Sequence, residues 1–547
     1  MTFGNWWDRG DDEHIAHSKE HALSLLPADL DYARVAVHGA RGAGDARRGG
    51  ETVAVKLTRR KKEVLATVVS NLALQMVTAL CGFVLPPMIV RTFGSEINGM
   101  VSSITQFIAY LSLVEAGVGG AAIAALYRPL AEKDTDKCSA ILSASAKFYQ
   151  KSGILFVILI FLLAFFYPLA VDKEVDRMQA GLMVLVLGIT GAAEFFLIGK
   201  YRVLLTADKK MYVISIVQSA AVILNTAVAV VLIRLGTGIV LVKLASSLVF
   251  LSRYAAIALY VRRKYADIHF HSAPDVKAIS QSRNVIVHQI GGLVVFNSPL
   301  VIITLFCSLK DASVYAVYAM VFTAVGNLLG SFSNGMQAMF GESLVKDSPE
   351  MTRKFFSRFE TVFFAVEGWF YSMAYMLIMP FMQLYTKDMT DANYIQPVIA
   401  RLFVAVGVLN CLRQPADKMI FAAGHFQKTQ WHSLAESVIN VVCSVAFTLK
   451  FGFVGVLLGG ICSYSYRTLD IIIYSARKIM HTSMFRSLGK IFAIFALYAA
   501  VVLVMSCKPI SVHAYSEWLV CAVINGTVLA IPCFCVLFVT HRGGKFK

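Results

Sequence analysis

Apolar residues run in blocks of about twenty along most of the chain, separated by short polar segments, from residue 64 to residue 540. Each block is near the roughly 20 residues that a helix needs to cross a bilayer core. The pattern predicts fourteen transmembrane helices, at 64–90, 99–126, 150–171, 178–199, 211–233, 237–261, 284–308, 313–340, 357–385, 396–423, 430–449, 453–476, 487–507 and 517–540. The expected fold class is an all-α polytopic membrane protein. An even count places both termini on one side. The longest polar connections, 262–283 and 341–356, lack the length and periodicity of a soluble enzyme domain, so any chemistry lies in or at the membrane.

Composition agrees: 57% of the 547 residues are hydrophobic and 16% charged, against about 45–50% and roughly 25% in soluble domains. The formal charge of +17 sorts by loop rather than by soluble face. Alternate loops and their flanks carry 27 Lys and Arg on one side, including Lys200, Arg202, Arg262, Lys346 and Arg477, and ten on the other, including Arg91, Arg234 and Lys508. The richer side is read as cytoplasmic, with both termini inside. Bases placed this way argue for topology and against nucleic acid as a partner.

Ten cysteines lie mostly within apolar runs with no CxxC pair, and Cys533 with Cys535 is too closely spaced for an ordinary zinc site. They are read as packing residues, and no disulfide framework, metal site or cofactor is expected. Residues 1–55 mix Asp8, Asp11, Asp12, Arg47 and Arg48 with several glycines and lack helical periodicity, so a disordered extension is expected there. It has no apolar stretch like that of a signal peptide. No methionine falls between Met1 and Met76, which raises the expectation of an alternative start at Val53 or Val55.

Spans 1–6 and 7–12 read as copies. The first ends in Arg91-Thr92-Phe93-Gly94-Ser95-Glu96 and the seventh in Phe306-Cys307-Ser308-Leu309-Lys310-Asp311, each a polar hairpin between an apolar helix and one rich in small residues. Six spans per copy relate the halves by an axis along the membrane normal, as in several transporters. The expected units are 1–55, 60–262, 284–477 and a helix pair at 487–540.

Ionisable groups at bilayer depth cost at least about 2.5–3.5 kcal/mol each, so they face a bundle interior or a wet cavity. In span 12, Ser463, Arg467, Asp470 and Tyr474 share one helical face; in span 10, Asn410, Arg413 and Asp417 do, with Pro415 between the charged pair to loosen the helix. Span 8 offers Asn327, Ser331 and Asn334. These stripes mark either a hydrophilic cavity of positive character or intrahelical pairs that neutralise arginine for insertion. Glu115, Glu194 and Arg253 lie in spans 2, 4 and 6, and Glu360 and Glu367 on one face of span 9. Each carboxylate is a candidate coupling group or an arginine's partner. Asn297, Ser298 and Pro299 are expected to interrupt span 7 near its middle. No phosphate loop GxxxxGK[ST], no HExxH and no GxSxG occurs, which argues against ATP hydrolysis and against an enzyme generally.

Residues 60–540 resemble the polysaccharide transporter family, the O-antigen flippases of the multidrug/oligosaccharidyl-lipid/polysaccharide exporter superfamily. The resemblance is carried by Ile89-Val90-Arg91-Thr92-Phe93-Gly94 with Asn98-Gly99, by Leu113-Val114-Glu115-Ala116-Gly117-Val118-Gly119-Gly120-Ala121 with Leu126-Tyr127, and by Ala422-Ala423-Gly424-His425. It implies two six-helix lobes around a central cavity plus a C-terminal helix pair. It further implies an alternating-access flippase in the cell membrane that moves polyprenyl-pyrophosphate-linked oligosaccharide from the cytoplasmic to the outer leaflet for cell-surface polysaccharide. The partners implied are the lipid-linked oligosaccharide, membrane lipids, and a glycan polymerase or glycosyltransferases. Arg253, Arg413 and Arg467 are the candidates for the pyrophosphate, as arginine presents paired donors to such anions, and Asn297, Asn327, Asn334 and Asn410 for the sugars. Several relatives carry an acid in span 7 where this chain has Asn297, so coupling would act through Glu115, Glu194, Glu367 or another group, with Asp417 and Asp470 as charge partners. The competing readings are a cation-coupled drug antiporter of the same superfamily, which calls for an acidic cavity, and a membrane-embedded glycan polymerase, which calls for a large outer loop.

Overall fold

The computed structural model describes residues 46–115, 118–171, 175–270, 272–275, 283–506 and 512–542. Expectations placed on residues 1–45, Lys173, His271, Lys277, Cys507, Lys508, Lys545 and Lys547 lie outside them. Of the extension expected to lack structure over 1–55, residues 46–55 are helical.

Every regular element among the described residues is helical. Thirteen stretches are long and apolar enough to cross a bilayer, and the seventh predicted span supplies the shorter apolar stretch Gly291–Phe306. In chain order the helices are α1 (Ala46–Phe93), α2 (Ser95–Leu111), α3 (Val118–Glu132), α4 (Thr135–Val171), α5 (Arg177–Ala193), α6 (Gly199–Ala207), α7 (Met211–Arg234), α8 (Ile239–Lys264) and α9 (Arg283–Phe306). They continue as α10 (Leu309–Lys346), α11 (Pro349–Tyr385), α12 (Pro397–Leu412), α13 (Gln414–Ala422), α14 (Gln430–Phe451), α15 (Phe453–Tyr474), α16 (Met484–Met505) and α17 (Tyr515–Arg542).

Hydrophobicity locates the spans but not the helix ends. The 37-residue α4 and α11 are each about 55 Å long at 1.5 Å per residue, well beyond a hydrocarbon core of about 30 Å. Polar ends continue the backbone ladder past the apolar stretch, and the 341–356 connection reduces to Asp347 and Ser348. There the Ser348 hydroxyl caps α11 by accepting from the Met351 amide at 3.3 Å.

Three spans break at charged residues. Span 2 becomes α2, a 3₁₀ turn at Ser112–Glu115 and α3; span 4 carries a π turn at Glu194–Ile198 before α6; span 10 parts at Arg413, where Pro415 opens α13. The interruption expected at Asn297–Pro299 is absent, because α9 runs continuously through Pro299. Pro299 removes the helical donor to the Val295 carbonyl, and contacts with neighbouring helices hold the chain helical on either side. Tyr110 of α2 donates to the Val294 carbonyl at 3.1 Å, and Ser298 donates to Asn440 of α14 at 2.8 Å.

Buried hydrophobic side chains form two clusters. One draws on residues 89–261 with Leu309, the other on Val90 and residues 300–529. The final helix pair rests on α11 of the second cluster: Lys490 pairs with Glu360 at 2.9 Å, Tyr498 donates to the Ala365 carbonyl at 2.7 Å, and Trp369 donates to the Gly526 carbonyl at 2.9 Å.

The halves meet along α2, α9 and α10. At the Gly94 end the seam is polar. Asp391 accepts from the Ser95 amide and hydroxyl at 2.5 and 2.8 Å. The Tyr394 hydroxyl bridges Ser95 and Ser313 at 2.7 and 2.8 Å, and Asn98 donates to Ser313 at 2.8 Å. Arg91 pairs with Asp388 at 2.7 Å. Deeper, Thr304 donates to Ser103 at 2.7 Å. Gly99 makes the approach possible, since a Cβ there would lie 1.8 Å from the Leu309 carbonyl oxygen.

A Gly99→Val variant should therefore force α2 and α10 apart at a cost of about 1–3 kcal/mol. Hydrogen–deuterium exchange over residues 95–104 should accelerate; wild-type protection would show that the seam tolerates the side chain.

Candidate functional site

A cavity of about 330 Å³ opens in the second half. Its polar lining comes from Gln106, Thr323, Asn327, Asn410, Gln414 and Asn440, and its rings include Tyr315, Phe322, Tyr371, Phe403 and Tyr464. Carboxamides and aromatic faces are neutral donors, acceptors and stacking surfaces, and no carboxylate or arginine is among the lining residues. Several groups on its wall are held by neighbours. Gln414 accepts from Ser333 at 2.7 Å, and Asn440 donates to Ser463 at 2.9 Å.

Beside this cavity, charge is buried in a closed set. Arg413 pairs with Glu436 at 2.6 Å and donates to Asn410 at 2.9 Å. Arg467, 2% exposed, reaches Asp470 at 2.8 Å and Glu436 at 3.5 Å. Asp470 also meets His432 Nδ1 at 2.9 Å. Two arginines thus face two carboxylates. The Arg413 guanidinium lies 5.3 Å from the centre of the Tyr464 ring, so it stands immediately behind the cavity wall, whereas Arg467 is fully enclosed.

The first half repeats the arrangement. Arg202 pairs with Glu194 at 2.8 Å and with Glu115, which also accepts from Tyr149 at 2.8 Å. Arg253 donates to Gln218 and lies 4.0 Å from Glu194. Again two arginines face two carboxylates. Arg253 comes fourteen residues after Ile239 at the start of α8, and Arg467 fourteen after Phe453 at the start of α15. Both helices follow shortly after a glycine at positive φ, Gly236 and Gly452, so the two arginines stand at the same distance from the start of their helices.

Of the candidates named from sequence, Asn327 and Asn410 line the cavity. Asn297 is buried and donates to the Leu293 carbonyl one turn back on its own helix at 2.9 Å. Asn334 is exposed on α10. Asp417 sits one turn beyond Arg413 on α13, half-buried. Glu367 is fully buried, and neither carboxyl oxygen has a hydrogen-bond partner among the described residues. Glu360, on the same face, is consumed by Lys490. Glu436 and Arg202 are the functional residues the sequence reading missed. Glu436 is the one carboxylate in its apolar helix, the same signal that singled out Glu115 and Glu194; Arg202 had been counted among loop cations.

The motif Ala422-Ala423-Gly424-His425 also finds its reason. Gly424 turns the chain at φ 72°, and His425 Nδ1 comes 3.2 Å from the Tyr474 hydroxyl. Burial, with Lys428 nearby, pushes the imidazole down to about 4.

Two predictions follow from this geometry. Glu436→Gln strands the Arg413 charge and leaves Arg467 to Asp470 alone, so it should cost about 3–5 kcal/mol and lower the thermal midpoint in detergent, whereas the exposed Glu350→Gln should not; equal midpoints would refute the pairing. At His425, an unfolded chain takes up its proton near 6.5 and the folded one only near about 4, so stability falls as pH drops through that window. His425→Gln should flatten the acid limb of the midpoint-versus-pH curve.

Comparison with known proteins places this geometry. Residues 64–336 match the family described as "Polysaccharide biosynthesis protein". No curated protein sequence matches the chain. Among solved structures, the lipid II flippase MurJ in an inward closed conformation aligns with a TM-score of 0.56 at 13% identity, covering 88% of this chain and 99% of that one. An inward-facing multidrug resistance MATE family transporter of the MOP superfamily aligns at 0.54 and 14% identity, covering 75% and 98%. The eukaryotic MATE transporter AtDTX14 aligns at 0.53 and 11% identity, covering 80% and 99%. These likenesses are of fold. By its family match the chain belongs to the polysaccharide biosynthesis protein family, and its fold is the one shared by MATE transporters and MurJ.

Proposed function

We propose that the protein is an alternating-access flippase that moves a polyprenyl-diphosphate-linked oligosaccharide from the cytoplasmic to the outer leaflet. The observation that carries this reading is the cavity lining. Carboxamides and hydroxyls match sugar hydroxyls, and aromatic faces match the apolar faces of pyranose rings. A carrier of cationic drugs calls for carboxylates there, and the lining holds none. At about 330 Å³ the space lies at the low end of small-ligand cavities, consistent with a site not fully opened. The excess of Lys and Arg on one set of loops orients the Gly94 seam outward, with both termini in the cytoplasm, and this seam is the gate that must part to release substrate.

The charged groups divide the remaining work. Arg413, behind Tyr464 and bonded to the cavity residue Asn410, is the arginine best placed to meet the diphosphate. Arg253 and Arg467 hold the carboxylates of their own sets. Glu367 lies one turn before the cavity residue Tyr371 on α11 and is uncommitted. We assign it as the carboxyl through which a proton gradient drives the cycle.

The test is leaflet exchange of a fluorescent polyprenyl-diphosphate oligosaccharide in proteoliposomes, with a cationic dye in parallel. Asn327→Ala should slow glycolipid exchange about tenfold or more, the loss expected when sugar hydroxyls lose buried partners, without lowering the thermal midpoint, and Asn410→Ala, which also removes a partner of Arg413, should slow it at least as much. Dye movement in place of glycolipid exchange would overturn the reading. Glu367→Gln should retain the fold and abolish the response of exchange to an imposed pH gradient; an undiminished response would remove Glu367 from the coupling role.

A further inference from the structure

A second, larger cavity of about 700 Å³ lies in the first half, where α6 and the end of α8 meet the chain that follows α8. Its walls include Lys200, Tyr201, Tyr254, Arg262, His269 and Phe270. The segment forming one side is fixed rather than loose. The His269 and Ser272 amides donate to the hydroxyls of Ser139 and Ser143, both at 2.9 Å, and the Asp275 amide donates to the Ala140 carbonyl at 3.2 Å. These bonds clamp His269, Ser272 and Asp275 onto the start of α4. Tyr265, also on the wall, is tied to Asp208 and Lys210.

The electrostatics of this cavity differ from those elsewhere in the protein. In both buried sets each arginine meets a carboxylate. Here the lining has three basic side chains and no acidic one, and the nearby Asp208 is already paired with Lys210. Lys200 and Arg262 are close enough for their charges to repel. Lys200 is half-buried, with its ammonium 5.2 Å from the centre of the Tyr201 ring and 5.6 Å from that of Phe270. Ring faces attract a cation weakly and leave its hydrogen-bond donors free. Two like charges converging on a preformed hollow, with no counter-charge in its wall, make a place for an anion. Tyr201 packs edge-on against Phe270 at 5.2 Å and beside Tyr254 at 6.0 Å, giving the flank of the cavity an aromatic surface for whatever carries that anion.

We infer that this cavity binds a phosphate ester or diphosphate, the anion held by Lys200 and Arg262 and its carrier resting on the Tyr201–Tyr254–Phe270 wall. The site is separate from the central cavity and does not depend on the transport reading, because binding is measured without transport. Such an anion can come from a lipid head group or from a soluble phosphate compound.

Calorimetric titration of the full-length protein in detergent with inorganic pyrophosphate tests the site. Wild-type protein should bind, and Arg262→Gln should weaken binding about tenfold, the scale of one charge-assisted hydrogen bond. Arg262 is exposed, so the variant leaves packing intact. Adding Lys200→Gln should remove binding, and the exposed Arg234→Gln control should leave it unchanged. Absence of binding to wild type, or equal weakening by the control, would overturn the inference. Polyprenyl diphosphate in nanodiscs that binds more tightly than pyrophosphate, with the gain lost in Phe270→Ala, would assign a lipid-borne ligand. Equal affinities would assign a soluble one, and binding by phosphatidylglycerol nanodiscs alone would overturn the diphosphate and assign a lipid phosphate ester.

Discussion

The cost of placing arginine in a low-dielectric interior governs this protein. A buried arginine is tolerable only with a carboxylate and further hydrogen bonds around it, and each half meets that condition with two arginines against two carboxylates. The first set joins helices α5, α6, α7 and α8 through Glu194, Arg202, Gln218 and Arg253; the second joins α12, α14 and α15 through Arg413, Glu436, Arg467 and Asp470. Because the partners lie on different helices, the sets fix how those helices sit against one another. Backbone irregularities accompany them. The 3₁₀ turn at Glu115, the π turn at Glu194 and the break at Arg413 each turn a charged side chain away from the regular helical stripe.

A second constraint acts at the seam between halves. There hydroxyls, an amide and carboxylates meet beside two buried apolar side chains that cross, Val90 into the second cluster and Leu309 into the first. The hydrogen bonds contribute only about 0.5–1.5 kcal/mol each, since water replaces them on opening. The Ser95–Asp391–Tyr394–Ser313 cluster is thus specific in register yet inexpensive to part. Gly99 against the Leu309 backbone gives the closed state its close fit without adding apolar area that would lock it. Charge is thus paired in buried sets within each half, whereas the ion pairs that cross the seam, Arg91 with Asp388 and Lys310 with Glu96, are solvent-accessible and worth only about 0–1 kcal/mol each.

Much of this was legible in the sequence, and the remainder was not for definable reasons. The spans could be read because a helix in hydrocarbon must be apolar over a set length, whatever its neighbours. The polar break in span 10 could be read from Pro415, whose ring cannot continue the ladder. The same reasoning failed at Pro299, because Tyr110 of α2 and Asn440 of α14 bind α9 from outside that helix and no local signal reports a neighbour's side chain. Pairing was the hidden layer. Spacing placed Arg467 and Asp470 on one face, but that Glu436 sits between Arg413 and Arg467 is a fact of three helices packed together. Arg202 looked like a loop cation because hydrophobicity falls there, while the chain in fact continues as a helix that carries it back to Glu115 and Glu194.

Accounting for charge across the whole molecule separates structural groups from those left available. Arg202, Arg253, Arg413 and Arg467 are engaged by Glu115, Glu194, Glu436, Asp470 and Gln218, and Glu360 is engaged by Lys490. Among the described residues, groups outside this balance include Glu367, enclosed with no hydrogen-bond partner, and Lys200 with Arg262, two cations on one hollow without a carboxylate in its described lining. An enclosed charge without a partner costs stability, which makes such a group a candidate for function. The neutral cavity then suits the part of a substrate that carries no charge, while the uncompensated groups suit what must arrive charged, a proton at Glu367 and an anion at Lys200 and Arg262.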